Sequence, residues 1–189
     1  VNGSVQFASN NANLAFPLLY DDTWSFEGVS GKVEWGSIQD AFVVSADDLY
    51  LNRNGADLEG DFRLEVVKNG ADTLALDIHA EQIGIEDGLS YIPNAALPQS
   101  AFDWLENALR KGQASQADFV LQTELAQGAK PQFLVDLDVA NAEVKFAPDW
   151  PVAEDVVAGV LIDRSGLDLD LGYGKLDQGE RNEFTFLVV

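Results

Sequence analysis

The stretch "DLEGDFRLEVVKNGADTLALDIHAE", residues 57–81, decides the fold class. Leu58, Phe62, Leu64 and Val66 take even positions, and Glu59, Asp61, Arg63 and Glu65 take the odd ones. Successive side chains on a strand point to opposite faces, so this alternation puts the apolar set on one face and the charges on the other. Leu74, Leu76 and Ile78 repeat the pattern after "KNGAD", whose Asn69-Gly70 pair suits a hairpin turn. The spacing predicts a β-hairpin over residues 55–80 with one wet face, as in antiparallel sheets.

Working outward, most of the chain follows the same period. "SVQFA" and "ANLAF" read as a first strand pair joined at Asn10 and Asn11. "GKVEW" and "AFVVSADDLYLN" follow, with a turn expected near Gly36. "ADFVLQTEL" places Phe119, Leu121 and Leu125 on one side, and "LDLDLGY" and "EFTFLVV" finish the chain. In "QFLVDLDVANAEVKF" the apolar residues change phase. Phe133, Val135, Leu137 and Val139 are odd-numbered, whereas Ala142, Val144 and Phe146 are even. A β-bulge near Ala140 and Asn141 would keep them on one face.

One segment breaks the rhythm. In "LPQSAFDWLENALRKGQ", Phe102, Leu105 and Leu109 have helical spacing, Ser100 suits a cap, and Arg110, Lys111 and Gly112 suit an end. The expectation is one short amphipathic helix over about 101–111, within a helix-containing insertion at about 91–113 between two strand groups. A helix this short needs the sheet to stabilise it.

Composition narrows the partners. The chain has 189 residues, 47% of them hydrophobic, which is enough to bury a core. Its 32 acids against 11 bases give a net charge of −21. Phosphate contacts need Lys and Arg clusters, so nucleic acid is not an expected partner, nor is an anionic membrane surface. No apolar run approaches a membrane span and no signal peptide is visible, so any anchor is expected outside these residues. A start at Val1, with no Met anywhere, reads as a processed protein or an excised fragment.

Catalytic chemistry is sparse. His79 is the only His and there is no Cys, so a His- or Cys-based zinc site has too few ligands. His79 reads as a surface residue on the charged face. The pairs Asp136/Asp138 and Asp168/Asp170 sit mid-strand, where oxygens do not converge as they do in calcium loops. They read as solvated strand faces. No catalytic residue, metal or cofactor is expected, and the chain does not read as an enzyme.

A faint repeat links "WSFEGVSGKVEW" from Trp24 to "WPVAEDVVAGVLID" from Trp150. Between Phe146 and Ala153, "FAPDWPVA" reads as a corner, because Pro148 and Pro151 cannot donate ladder hydrogen bonds. Asp149 suits that turn, and Trp150 is expected over the edge of the sheet.

Two motifs carry a resemblance. "YIPNAALPQSAFDWLENALRKGQ" is similar to the segment of YhdP-type proteins in which Tyr-x-Pro leads into a Trp-Leu-x-x-Ala-Leu helix followed by Gly. "VANAEVKFAPDWPVAEDVVAGVLIDRSGLDLDLG" resembles their next stretch, where a strand ends in an aromatic and x-Pro-x-Trp-Pro turns the chain. The resemblance spans about Gly28 to Gly174. It implies the AsmA-like group of Gram-negative envelope proteins: inner-membrane-anchored, with a long periplasmic part forming a curved, taco-like β-groove that carries phospholipid toward the outer membrane.

On that implication the whole chain is a single fragment of a repeating groove. Its partners would be phospholipid acyl chains and neighbouring repeats of the full protein. Membrane contact would come only through parts outside this chain. The lining candidates are Phe62, Leu64, Val66, Leu74, Leu76, Ile78, Phe119, Leu121, Val135 and Leu137. The same alternation also suits a closed β-sandwich with a structural or protein- or glycan-binding role.

Overall fold

The computed structural model describes residues 2–15, 20, 23–91, 99–126, 128–176 and 180–182. Its strands are β1 (Gly3–Ser9), β2 (Ala12–Ala15), β3 (Thr23–Phe26), β4 (Gly28–Ile38), β5 (Ala41–Arg53), β6 (Ala56–Val67) and β7 (Thr73–Gly84). After the helical turns come β8 (Leu109–Glu124), β9 (Gln132–Val144), β10 (Ala153–Asp163), β11 (Gly166–Leu176) and β12 (Glu180–Asn182). Ten strands form one sheet in the order β1-β4-β5-β6-β7-β8-β9-β10-β11-β12, and β2 pairs only with β3. The architecture is mainly β, a long antiparallel sheet that is not closed into a barrel. From β4 onward each sheet neighbour is the next strand in sequence, with the helical stretch inserted between β7 and β8.

The expected hairpin is β6–β7, with Asn69-Gly70 in its five-residue loop. That loop is held by Val67 N–H donating to Asp72 Oδ1 at 2.9 Å. The expected first pair does not form. β1 pairs with β4, Gly3 opposite Trp35 through Ser9 opposite Val29, and β2 pairs with β3 instead. Gly36 lies inside β4 opposite Val43, and the turn falls at Gln39 and Asp40. The strand expected over 183–189 lies outside the described residues.

The helical stretch contains α1 (Ile85–Gly88), a 3₁₀ turn (Leu89–Tyr91) and α2 (Gln99–Ala108). α2 starts two residues before the expected position and stops three before it. Arg110, Lys111 and Gly112 belong to β8. The helix ends because the chain enters a ladder at once: Lys145 N–H donates to Ala108 O at 2.8 Å. Gly112 is no helix stop. It sits at φ +140, where an added Cβ would lie 2.9 Å from Ala142 Cα.

The chain divides into two compact units, residues 1–80 with 118–133, and residues 81–117 with 134–189. In unit one, Phe42 pairs with Val66, Val44 with Leu64, and Ala46 with Phe62. The register then shifts between Ala46 and Leu49, so Leu51 faces Leu58 and Arg53 faces Ala56. The shift is a bulge with Asp48 at φ 58. Asp48 N–H donates to Asp61 Oδ1 at 3.0 Å. One extra residue thus moves the β5 apolar set from even to odd positions without changing its face. Gly60 on this face admits the neighbouring strand: an added Cβ would sit 2.1 Å from Asp77 O and 2.8 Å from Ile78 Cδ1. Val43 is the exception to the alternation, buried on the other face opposite Gly36 and Glu65.

In unit two, Val135 faces Ile162, Leu137 faces Val160, and Val139 faces Ala158. The next pair is Ala142 with Val156, three residues along β9 against two along β10. Asn141 at φ 54 is the bulge expected from the change of phase. A second bulge follows in β10, with Asp155 at φ 51. This face is packed: Val139, Ala142, Val144, Ala153, Val156, Val160 and Ile162 are all 4% exposed or less. In α2, Leu105 and Ala108 are each 1% exposed, and Trp104 Nε1–H donates to Phe146 O at 3.1 Å.

Three outcomes follow. Gly60→Ala should destabilise the chain by about 3 kcal/mol in urea unfolding, because the clash is with backbone that cannot step aside. Asn141→Val should cost roughly 2 kcal/mol, since a β-branched residue resists the left-handed region, whereas Asn141→Gly should be near neutral. The third concerns the β5–β6 end, where the Tyr50 hydroxyl and Asn52 amide both donate to Asp57 and hold its carboxyl below the ordinary 3.8. A depressed folded value stabilises above the unfolded one and is lost as pH falls through it. The Tm advantage of the native chain over Asp57→Asn should therefore be present at about pH 6 and shrink below about pH 4.

Candidate functional site

The functional candidate is a surface built from one face of unit one. Across β1, β4, β5 and β6 the registers bring Val5, Val33, Trp35, Phe42, Val44, Leu64 and Val66 to the same side. Ile78 lies beside Gly60 on that side. The opposite side carries Glu59, Asp61, Arg63 and Glu65 of β6. Arg63 Nε contacts Glu65 Oε1 at 2.7 Å with the Arg63 side chain exposed and that of Glu65 partly so, and the pair adds little stability.

The lining candidates separate by exposure. Phe62, Leu64, Leu74, Leu76, Ile78 and Phe119 are half-buried, and Val66 is 42% exposed. Leu121 is 1% exposed and Val135 6%, so neither offers surface in this state. Leu137, in unit two, is half-buried. Sequence reasoning missed Phe42, 40% exposed opposite Val66, and Val5, 49% exposed opposite Val33. The signal for Phe42 was present in "AFVVSA", where Phe42 and Val44 alternate as Leu64 and Val66 do. Val5 gave less warning, because its strand was assigned the wrong partner.

Exposure on this face is graded. Phe42 and Val66 mark the open end. At the other end Val29, Ala56 and Leu58 are 8%, 5% and 5% exposed, and β3 packs there against β5 with Phe26 at 2%. Large side chains lie across glycines of neighbouring strands on this face. Added Cβ atoms at Gly3 and Gly31 would lie 2.6 Å from the Trp35 ring and 2.7 Å from a Leu49 methyl.

The polar residues are placed differently. His79 Nδ1 is 2.7 Å from Asp118 Oδ1, with side chains 42% and 37% exposed. Asp136 and Asp168 flank Leu161, and Asp138 and Asp170 flank Gly159, all four exposed. Among the described residues, no three His, Cys, Asp or Glu side chains are placed to hold a metal ion. Among the same residues, no helix is long and apolar enough to cross a membrane. The Pro148–Pro151 segment is a turn, with Trp150 N–H donating to Ala147 O at 3.1 Å and the Trp150 side chain 50% exposed.

No curated protein and no solved structure matches the chain. A family model described as "YhdP protein" matches residues 1–182, extending the resemblance beyond both motifs to β1 at one end and β12 at the other. The chain belongs to the YhdP family.

Proposed function

We propose that this chain is a segment of a periplasmic hydrophobic surface that conducts phospholipid between the inner and outer membranes of a Gram-negative envelope. It would act within an inner-membrane-anchored protein, beside neighbouring repeats, and without catalysis, nucleic acid or cofactor. The observation that carries this reading is the half-exposed apolar face of unit one, backed by a charged face on the same strands. Moving acyl chains through water costs roughly 0.8 kcal/mol per CH₂, on the order of 20 kcal/mol for two chains. A continuous apolar strip removes most of that barrier, and the acidic reverse face keeps the strand solvated.

A second reading has its own support. In unit two the same alternation is packed beneath side chains that leave almost no surface, as a structural module requires. A sandwich, however, needs two substantial sheets face to face about 10 Å apart. The described strands supply one sheet of ten and one of two. Unit two therefore reads as the structural part and unit one as the lipid-facing part.

A photo-crosslinking amino acid at Leu64 or Leu76 in the full-length protein tests this directly. Lipid adducts are expected from both positions and not from Asp61 or Glu65 on the reverse face. Equal adducts from both faces, or none from either, would sink the reading. Leu64→Asp should cut co-purifying phospholipid by about tenfold, the equivalent of 1.4 kcal/mol, while leaving circular dichroism unchanged.

A further inference from the structure

The β2–β3 hairpin is joined to the rest of unit one unlike any other strand pair. Its strands pair with each other, Ala12 with Phe26 through Ala15 with Thr23, and stand outside the ladder of the ten-stranded sheet. Four-residue strands in a lone hairpin are marginal by themselves. Asn13, Leu14 and Ala15 are exposed. Among the described residues, side chains of β3 and the root of the hairpin take part in the attachment. Phe26 is 2% exposed. The Arg53 guanidinium lies over the Trp24 ring, 4.6 Å from its centroid, and the Tyr20 ring is 4.3 Å from that of Trp24. At the root, Glu27 N–H donates to Asn52 O at 2.9 Å, and Asn54 N–H donates to Glu27 Oε2 at 3.0 Å.

Beneath this attachment the apolar face is the same in kind and different in exposure. Leu58 and Val66 lie on the same face of the same strand, yet one is 5% exposed and the other 42%. Strand pattern cannot produce that difference, and among the described elements β3 lies against β5 at the Leu58 end. Arg53 is also the one ionisable side chain on this face across β1, β4, β5 and β6. It stands where the hairpin meets the sheet.

We infer that β2–β3 is a stopper seated on a second hydrocarbon-binding stretch, formed by Val29, Leu51, Ala56 and Leu58, which it yields to an acyl chain already lying on the open end at Phe42 and Val66. This rests on the lipid-facing reading of unit one and extends it. Phe26 stands where methylene groups would lie, and the Trp24–Arg53 contact is the clamp. Because the hairpin shares no ladder with the main sheet, lifting it breaks ring contacts and root hydrogen bonds and leaves the ten-stranded sheet intact.

The chain has no cysteine, so single thiols report on each end separately. Leu58→Cys and Val66→Cys would be labelled with N-ethylmaleimide, alone and combined with Arg53→Gln. Position 66 should label fast. Position 58 should label roughly a hundredfold slower and gain about tenfold on Arg53→Gln, with position 66 and the thermal melt unchanged. Oleate should protect position 66 in both backgrounds and position 58 once the clamp is loosened. If Arg53→Gln leaves position 58 unchanged, or speeds both positions together, the stopper is refuted. Protection of position 66 without position 58 would overturn the second stretch and leave the lipid-facing reading standing. Protection of neither would overturn both. Ala56→Cys replaces Leu58→Cys should the latter lower stability.

Discussion

The structure depends on keeping one face of each long strand apolar after the sequence has changed phase. A one-residue slip turns every side chain over, so an uncorrected phase change would bury carboxylates and expose leucines. The correction is a residue in the left-handed region at a register shift within the strand: Asp48 in β5, Asn141 in β9 and Asp155 in β10. Each costs about 1–2 kcal/mol in backbone energy. Each returns residues such as Leu51, Val144 or Val156 to the apolar face, where burying one such side chain is worth roughly 1.5–3 kcal/mol. The exchange is favourable, and it bends and twists the strand locally as a by-product.

How much of this was legible depended on whether the signal was local. The β6–β7 hairpin was legible because both strands, their alternation and the Asn69-Gly70 turn are contiguous. The bulge at Asn141 was legible because apolar residues flank it on both sides with opposite parity. The bulge at Asp48 was present in "SADDLYLN" and hidden by two adjacent acids that fit either face. The partner of β1 was not legible, since pairing with β4 skips a whole hairpin and nothing in "GSVQFAS" encodes that skip. The end of α2 was misread for a related reason. Arg110, Lys111 and Gly112 have the chemistry of a helix terminus, but a ladder bond to Lys145 claims Ala108 first.

The candidate surface was legible as a set of positions and not as a degree of exposure. Leu64 and Val135 are indistinguishable in pattern, yet one stays half-exposed and the other is 6% exposed. What separates them is how far each is covered, which the pattern of one strand does not encode. Period two says which side chains share a face. It does not say whether that face meets protein.

The glycines on the unit-one face have a consequence for texture. At Gly3, Gly31 and Gly60 the absent side chains let Trp35, Leu49 and Ile78 lie across the adjacent strand. Ridges that would otherwise run along each strand are thereby filled level with their neighbours. On the proposed reading, a hydrocarbon tail at the open end by Phe42 and Val66 rests on a shallow relief rather than in a series of slots. A relief of that kind would offer a tail many similar resting places, which separates a path from a binding pocket.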